Sequence, residues 1–145
     1  MKIGIATDHH GVLYKEELTN FLSSLGYNVI DYGPFSSDMV DYPDYAFKVG
    51  EAIRDKKIDY GILICNTGIG MSIAANKVKS VRCGRVCNLY DAKMTRRDND
   101  ANVIALSSQL DLENVKEILN VFFTTDYANI ERYNRRIEKI NNYEY

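Results

Sequence analysis

No apolar run in the 145-residue chain approaches the roughly 20 residues that a membrane-spanning helix needs. Nor is there a secretory leader: Met1-Lys2 runs straight into a strand-like segment, so the expected place is the cytoplasm, with no membrane partner. An excess of either charge is missing too. The 18 basic and 20 acidic residues, net −2, give no electrostatic footprint for nucleic acid. Cysteine is scarce, and Cys65, Cys83 and Cys87 are an odd number in a chain without an export signal, which argues against a disulfide framework. Cys83 and Cys87 stand four apart, but the second ligand pair of a structural zinc is absent, so no metal is expected and both are read as small core residues of a strand. Internal repeats and low-complexity segments are also lacking. The length suits one domain spanning residues 1–145.

What is present is organised around Ile58 to Lys77, IDYGILICNTGIGMSIAANK. Tyr60 to Cys65 is a short apolar run, read as a buried strand; Asn66, Thr67, Gly68 and Gly70 form a loop; Met71 to Lys77 suits a helix packed closely on a sheet. Such a strand, glycine loop and helix form a generic anion-binding arrangement, because glycine lets the backbone approach a ligand and the helix start aims free N–H groups at it. The loop has neither the lysine of a Walker loop nor the spacing of the dinucleotide fingerprint.

Along the rest of the chain, Lys2 to Thr7 reads as a first strand ending at Asp8-His9, and Val12 to Leu25 as a helix capped by Gly26. Tyr27 to Tyr32 follows as a strand and Gly33 to Pro43 as a long loop. A second helix runs from about Ala46 to Lys56-Lys57, a fourth strand over Val81 to Cys87, a short helix over Asp91 to Arg96 and a fifth strand over Asn102 to Leu106. Val115 to Phe123 is amphipathic, and a tail helix from about Ala128 to Asn142 has an apolar face suited to a second subunit. Strands alternating with helices predict an α/β fold: a three-layer, Rossmann-like open parallel sheet of about five strands. Ligands bind such sheets outside the carboxyl ends of the strands, so Asp8, His9 and Cys65 to Gly70 should share one edge.

Cys65 ends its strand beside a helix start, a position that favours a thiolate. A thiolate there could take a proton from a carbon next to a carbonyl while backbone N–H groups hold the enolate oxygen; otherwise Cys65 is a small hydrophobe. Thr67 could add a hydroxyl donor. His9 is either a ligand contact or an exposed loop residue. Arg132 and Arg136, four apart, share a helix face and are either a phosphate clamp or a solvated basic stripe. Asp98, Asn99 and Asp100 could reach a sugar or form an ordinary turn.

Several motifs together, ATDHHG near the start, VDYPDYA at 40–46, ILICNTGIGMSIAANK in the centre and TRRDNDANVIA later, make the whole chain resemble the type B ribose-5-phosphate isomerases. That family includes allose-6-phosphate isomerases and galactose-6-phosphate isomerase subunits. The resemblance implies a cofactor-free aldose–ketose isomerase that takes a sugar phosphate through an enediolate and works as a homodimer, sometimes as a dimer of dimers. It implies Cys65 as base, Thr67, Gly68 and Gly70 with the adjoining Asn66 as the enediolate loop, Asp8 near the sugar hydroxyls, His9 at the phosphate and Tyr42 lining the pocket. It further implies Asn99 as a contact from the partner subunit, and Arg132 and Arg136 as phosphate ligands from the last helix. Asp98 stands where the family usually has the histidine that helps open the sugar ring, Asn66 where it has glycine, Gln109 where it often has arginine and Tyr133 where it often has histidine. Asn66 suits a glycine position if its backbone is left-handed. The simplest expected substrate is ribose 5-phosphate; a six-carbon aldose 6-phosphate and a non-catalytic sugar-phosphate binder are the alternatives.

Overall fold

The computed structural model describes residues 1–144. Its elements alternate as the periodicity predicts: β1 (Lys2–Thr7), α1 (Val12–Ser24), β2 (Asn28–Asp31), α2 (Tyr42–Arg54), β3 (Tyr60–Cys65), α3 (Ile69–Ala75), β4 (Cys83–Arg85), α4 (Leu89–Arg97), β5 (Val103–Ser107), α5 (Leu112–Thr124) and α6 (Glu131–Asn141). All pairings are parallel, in the order β2-β1-β3-β5-β4. The strands are short and apolar because both faces of the sheet are covered. One face carries Ile3, Ile5, Ile62, Ile64, Ile104 and Leu106 against α1, α4 and α5; the other carries Ala6, Leu63, Cys65, Val103 and Ala105 against α2 and α3. No helix among the described residues is long and apolar enough to cross a membrane.

Several boundaries differ from the sequence expectation by one to four residues, and three of them have a clear local reason. Helix α2 begins at Tyr42, so the preceding loop is shorter: Pro43 falls in the first turn, where its missing N–H has no helical acceptor to satisfy. Helix α3 begins at Ile69 because Gly68, at φ 78°, turns the chain into it, which places Gly70 inside the helix instead of in the loop. Only Cys83–Arg85 of the apolar stretch 81–87 is strand, since the Arg82 N–H goes to the Asn102 side chain (2.9 Å) and β4 pairs with β5 from Cys83 to Arg85. Cys87 therefore lies outside the strand. Cys83 lies in it, and burial pushes its thiol up to about 12 against the opposing hydrogen bond of Ser72.

One buried charge anchors the edge of the fold. Lys15 of α1 is 2% exposed, and its Nζ donates to Asp31 Oδ1 and Pro34 O, both at 2.7 Å. Asp31 Oδ1 also accepts from the Gly33 N–H at 2.8 Å, and Gly33 O accepts from the Thr7 N–H at 3.1 Å, so this ion pair ties the 31–34 loop to the end of β1. Lys15→Met keeps the volume but strands the carboxylate; a loss of roughly 3 kcal/mol is expected, read as a lower urea midpoint at unchanged m. A loss under about 1 kcal/mol would show that water around half-buried Asp31 compensates.

Candidate active site

The strand order reverses direction between β1 and β3, and the crevice beyond their carboxyl ends is where such sheets take ligands. Asp8 and Cys65 flank it. The Asp8 N–H donates to Ile64 O at 3.0 Å, which continues the β1–β3 ladder beyond the strand, and Asp8 is 7% exposed. Its Oδ1 accepts from the His10 N–H (3.0 Å) and its Oδ2 lies 3.3 Å from His10 Nδ1, so His10 orients this carboxylate. The Val40 N–H donates to His9 Nδ1 at 3.3 Å, which leaves Nε2 as the ring nitrogen available to a ligand.

Cys65 is 6% exposed, and the Gly68 N–H donates to its Sγ at 3.1 Å. The turn that builds the helix start thus also aims a backbone amide at the sulfur. Gly68 cannot be replaced cheaply: besides its positive φ, a Cβ would lie 3.0 Å from the Leu106 carbonyl carbon. Thr67 Oγ1 accepts from the Ile69 N–H at 3.2 Å. The N–H groups of Gly70 and Met71 then open α3 without a protein acceptor among the described residues. Tyr42 covers this helix start, since a Cβ on Gly70 would sit 2.6 Å from the Tyr42 ring. Asp8, His9, Tyr42, Cys65, Asn66, Thr67, Gly68 and Gly70 thus gather at one edge.

Asn66 is not left-handed: the non-glycine residues at positive φ are Lys56, Ser80, Asp100 and Asn129. Hydrogen bonds hold it instead. Ser107 Oγ donates to Asn66 O at 2.7 Å, and Gln109 Nε2 donates to Asn66 Oδ1 at 2.8 Å. Two of the positions where the sequence departs from its resemblance therefore bond to each other. Arg85, which sequence reasoning passed over, donates from Nε to Thr67 O at 3.0 Å. A charged residue in a short apolar strand was the only available signal.

The remaining candidates lie at the opposite edge. Helix α4 runs from the carboxyl end of β4 back to the amino ends, so Asp98 and Asn99 precede β5 at the level where Asn102 O accepts from the Gly61 N–H (2.9 Å). Arg82 and Arg96 fix this turn through Asp100, at 2.8 Å to its carbonyl and 2.9 Å to its carboxylate. Helix α6 starts nearby, with the Ala128 N–H on Arg97 O (3.0 Å) and Arg82 Nη1 on Asn141 Oδ1 (3.2 Å). A six-residue strand is about 20 Å long, so in one chain Asp98, Asn99, Arg132 and Arg136 cannot meet Cys65. Arg97 Nε donates to Asp98 Oδ1 at 2.7 Å and, with Tyr133 and the Arg132 charge beside it, holds the Asp98 carboxyl below the usual carboxylate range. Arg135 is paired with Glu131 (2.9 Å), whereas among the described residues Arg132 and Arg136 have no carboxylate partner. No group of three or more His, Cys, Asp or Glu that could hold a metal occurs among the described residues.

The match to known proteins spans the whole arrangement. Residues 3–140 match the family model described as Ribose/Galactose Isomerase. Ribose-5-phosphate isomerase B of Escherichia coli is 40% identical over 140 residues, covering 96% of this chain and 93% of that protein. The structure of Clostridium thermocellum ribose-5-phosphate isomerase B superposes with a TM-score of 0.94 at 42% identity, over 97% of this chain and 95% of that one. The Mycoplasma genitalium ribose-5-phosphate isomerase B, solved with bound ribulose-5-phosphate, gives 0.90 at 37% identity, over 97% and 93%.

Proposed function

Because the chain belongs to the ribose/galactose isomerase family, we propose that it interconverts ribose 5-phosphate and ribulose 5-phosphate with Cys65 as the base. The observation that carries this reading is the Gly68 N–H on Cys65 Sγ at 3.1 Å, in the crevice where the strand order reverses. In the open-chain aldose, the thiolate takes the proton from C2 and returns it to C1, while the proton of the C2 hydroxyl passes to the C1 oxygen, a transfer suited to the Thr67 hydroxyl. Between these steps the charge rests on the enediolate oxygens, and the free N–H groups of Gly70 and Met71 are suited to hold it. Asp8, its carboxylate oriented by His10, is placed for the sugar hydroxyls, and Tyr42 walls the pocket.

The site is completed by a second copy of the chain in a homodimer. Two observations support this: among the described residues Arg132 and Arg136 of α6 have no carboxylate partner, and that helix buries none of its residues although Ile137 and Ile140 lie along it. A second copy would carry Asp98, Asn99 and the two arginines to the first copy's Cys65. Asp98 at neutral pH is an acceptor only, because its neighbours hold it ionised. Ring opening needs a proton delivered to the ring oxygen, which a carboxylate cannot supply.

The direct test follows ribulose 5-phosphate formation from ribose 5-phosphate, beside allose 6-phosphate and galactose 6-phosphate, in the unaltered protein and in Asp98→His. Position 98 should add no limb to the pH profile of the unaltered protein between pH 5 and 9. Asp98→His should raise turnover about tenfold and add a limb near pH 6.5. A hexose phosphate preferred over ribose 5-phosphate would transfer the reading to that substrate. Binding of all three without turnover would leave a sugar-phosphate binder.

A further inference from the structure

Arg85 is the charged group at the carboxyl edge that the mechanism above does not use. Its neighbour Gly84 faces α4, since a Cβ there would strike Thr95; alternation along the strand therefore turns Arg85 to the other face of the sheet, the one that also carries Cys65. Arg85 pairs in register with Ala105, and Cys65 with Ser107, so Arg85 starts two residues below Cys65 and two strand spacings, roughly 10 Å, to its side. From there the side chain climbs to the glycine loop, where Nε donates to Thr67 O.

The rest of its guanidinium is unspent. Among the described residues no acceptor meets Nη1 or Nη2, and no carboxylate pairs with the group. Other arginines differ: Arg54 is held by Asp55, Arg82 by Asp100 and Asn141, Arg96 by Asp100, Arg97 by Asp98 and Arg135 by Glu131. Arg85 is left in the same condition as Arg132 and Arg136. At the same stretch of loop, Gln109 is neutral and spends its Nε2 on Asn66. The side chains that clamp Asn66 and Thr67 from β4, the end of β5 and the turn after it thus contribute one positive charge, and it belongs to Arg85.

We propose that Arg85 binds the phosphate of the substrate through its two terminal nitrogens, from the same chain as Cys65, and so supplies the cation that position 109 does not. This deepens the isomerase reading and rests on it for the identity of the ligand. With Nε fixed on a backbone carbonyl, the remaining fork is preorganised for two oxygens of a dianion, a task for which a lysine ammonium is a poorer fit.

The test uses the full-length protein, Arg85→Gln and Arg85→Lys, with ribose 5-phosphate as substrate and inorganic phosphate as competitive inhibitor. Because Arg85 is exposed, both variants are expected to fold. Arg85→Gln should raise KM and the inhibition constant of phosphate together, by about 10- to 100-fold, with kcat within about twofold; Arg85→Lys should recover part of both. A fall in kcat with phosphate inhibition unchanged would reduce Arg85 to a brace for the Thr67 loop and overturn the proposal, as would no change in any constant. Phosphate binding is measured separately by calorimetry. Arg85-dependent binding in a protein that turns over no sugar phosphate would keep this inference and remove the isomerase reading; absence of saturable phosphate binding in the unaltered protein would overturn it.

Discussion

Cys65→Ala is expected to lower kcat by about a thousandfold while the protein still binds ribose 5-phosphate. The expectation follows from what the side chain touches. Its sulfur accepts the Gly68 N–H and sits at the mouth of the crevice, whereas sugar and phosphate are proposed to be bound by other side chains, Asp8, His9 and the arginines. Removing a proton-transfer group costs on the order of 10²- to 10⁴-fold when binding groups remain. The substitution also leaves the Gly68 N–H without its acceptor, at roughly 1–3 kcal/mol of stability, so the comparison belongs well below the melting temperature. Retained binding is read as a rise in melting temperature on adding the substrate, since a ligand that favours the native state stabilises it. Cys65→Ser should be nearly as inactive, because a hydroxyl is a far weaker acid than a thiol. Full turnover in Cys65→Ala would remove the thiolate from the mechanism.

The parts of this molecule that were legible in its sequence are those governed by short-range pattern. Tyr60 to Cys65 is too short and too apolar for anything but a buried strand, and the element order follows from similar runs. Once the element order is known, the reversal of strand order between β1 and β3 places Asp8 beside Cys65 without further information. Illegible were the contacts between residues far apart in the chain. The bond from Gln109 to Asn66 joins positions 43 apart, and Asn66 stands at the family's glycine position without the left-handed backbone that the resemblance led one to expect. Arg85 meets Thr67 across 18 residues of chain, and nothing in the local pattern around it pointed to that contact. Boundaries erred where a single side chain intervened: Asn102 takes the Arg82 N–H and delays β4, while Pro43 starts a helix that its usual reputation as a breaker would postpone.

The division of the candidate residues between two edges makes the second large prediction, recovery of activity on mixing two inactive variants. Cys65→Ala and the double variant Arg132→Ala with Arg136→Ala should each be nearly inactive alone. In a twofold-symmetric dimer whose sites take Cys65 from one copy and the arginines from the other, a mixed dimer has one site with both defects and one with neither. Random exchange makes half of the dimers mixed, so about a quarter of the unaltered activity should return, without any new contact having formed. The fraction of mixed dimers is measured directly by giving the two variants different affinity tags, and activity should rise in proportion to it. Sites built within one chain would stay defective in every combination, and confirmed mixed dimers with no activity would refute the shared site. The roughly 20 Å of strand between Cys65 and Asp98 argues for recovery, because no side-chain rearrangement within one chain bridges that distance. A second copy needs only to lay its amino edge and α6 across the crevice. The free face of α6 is suited to such packing, and Arg132 and Arg136, which have no carboxylate partner among the described residues, would meet an anion there.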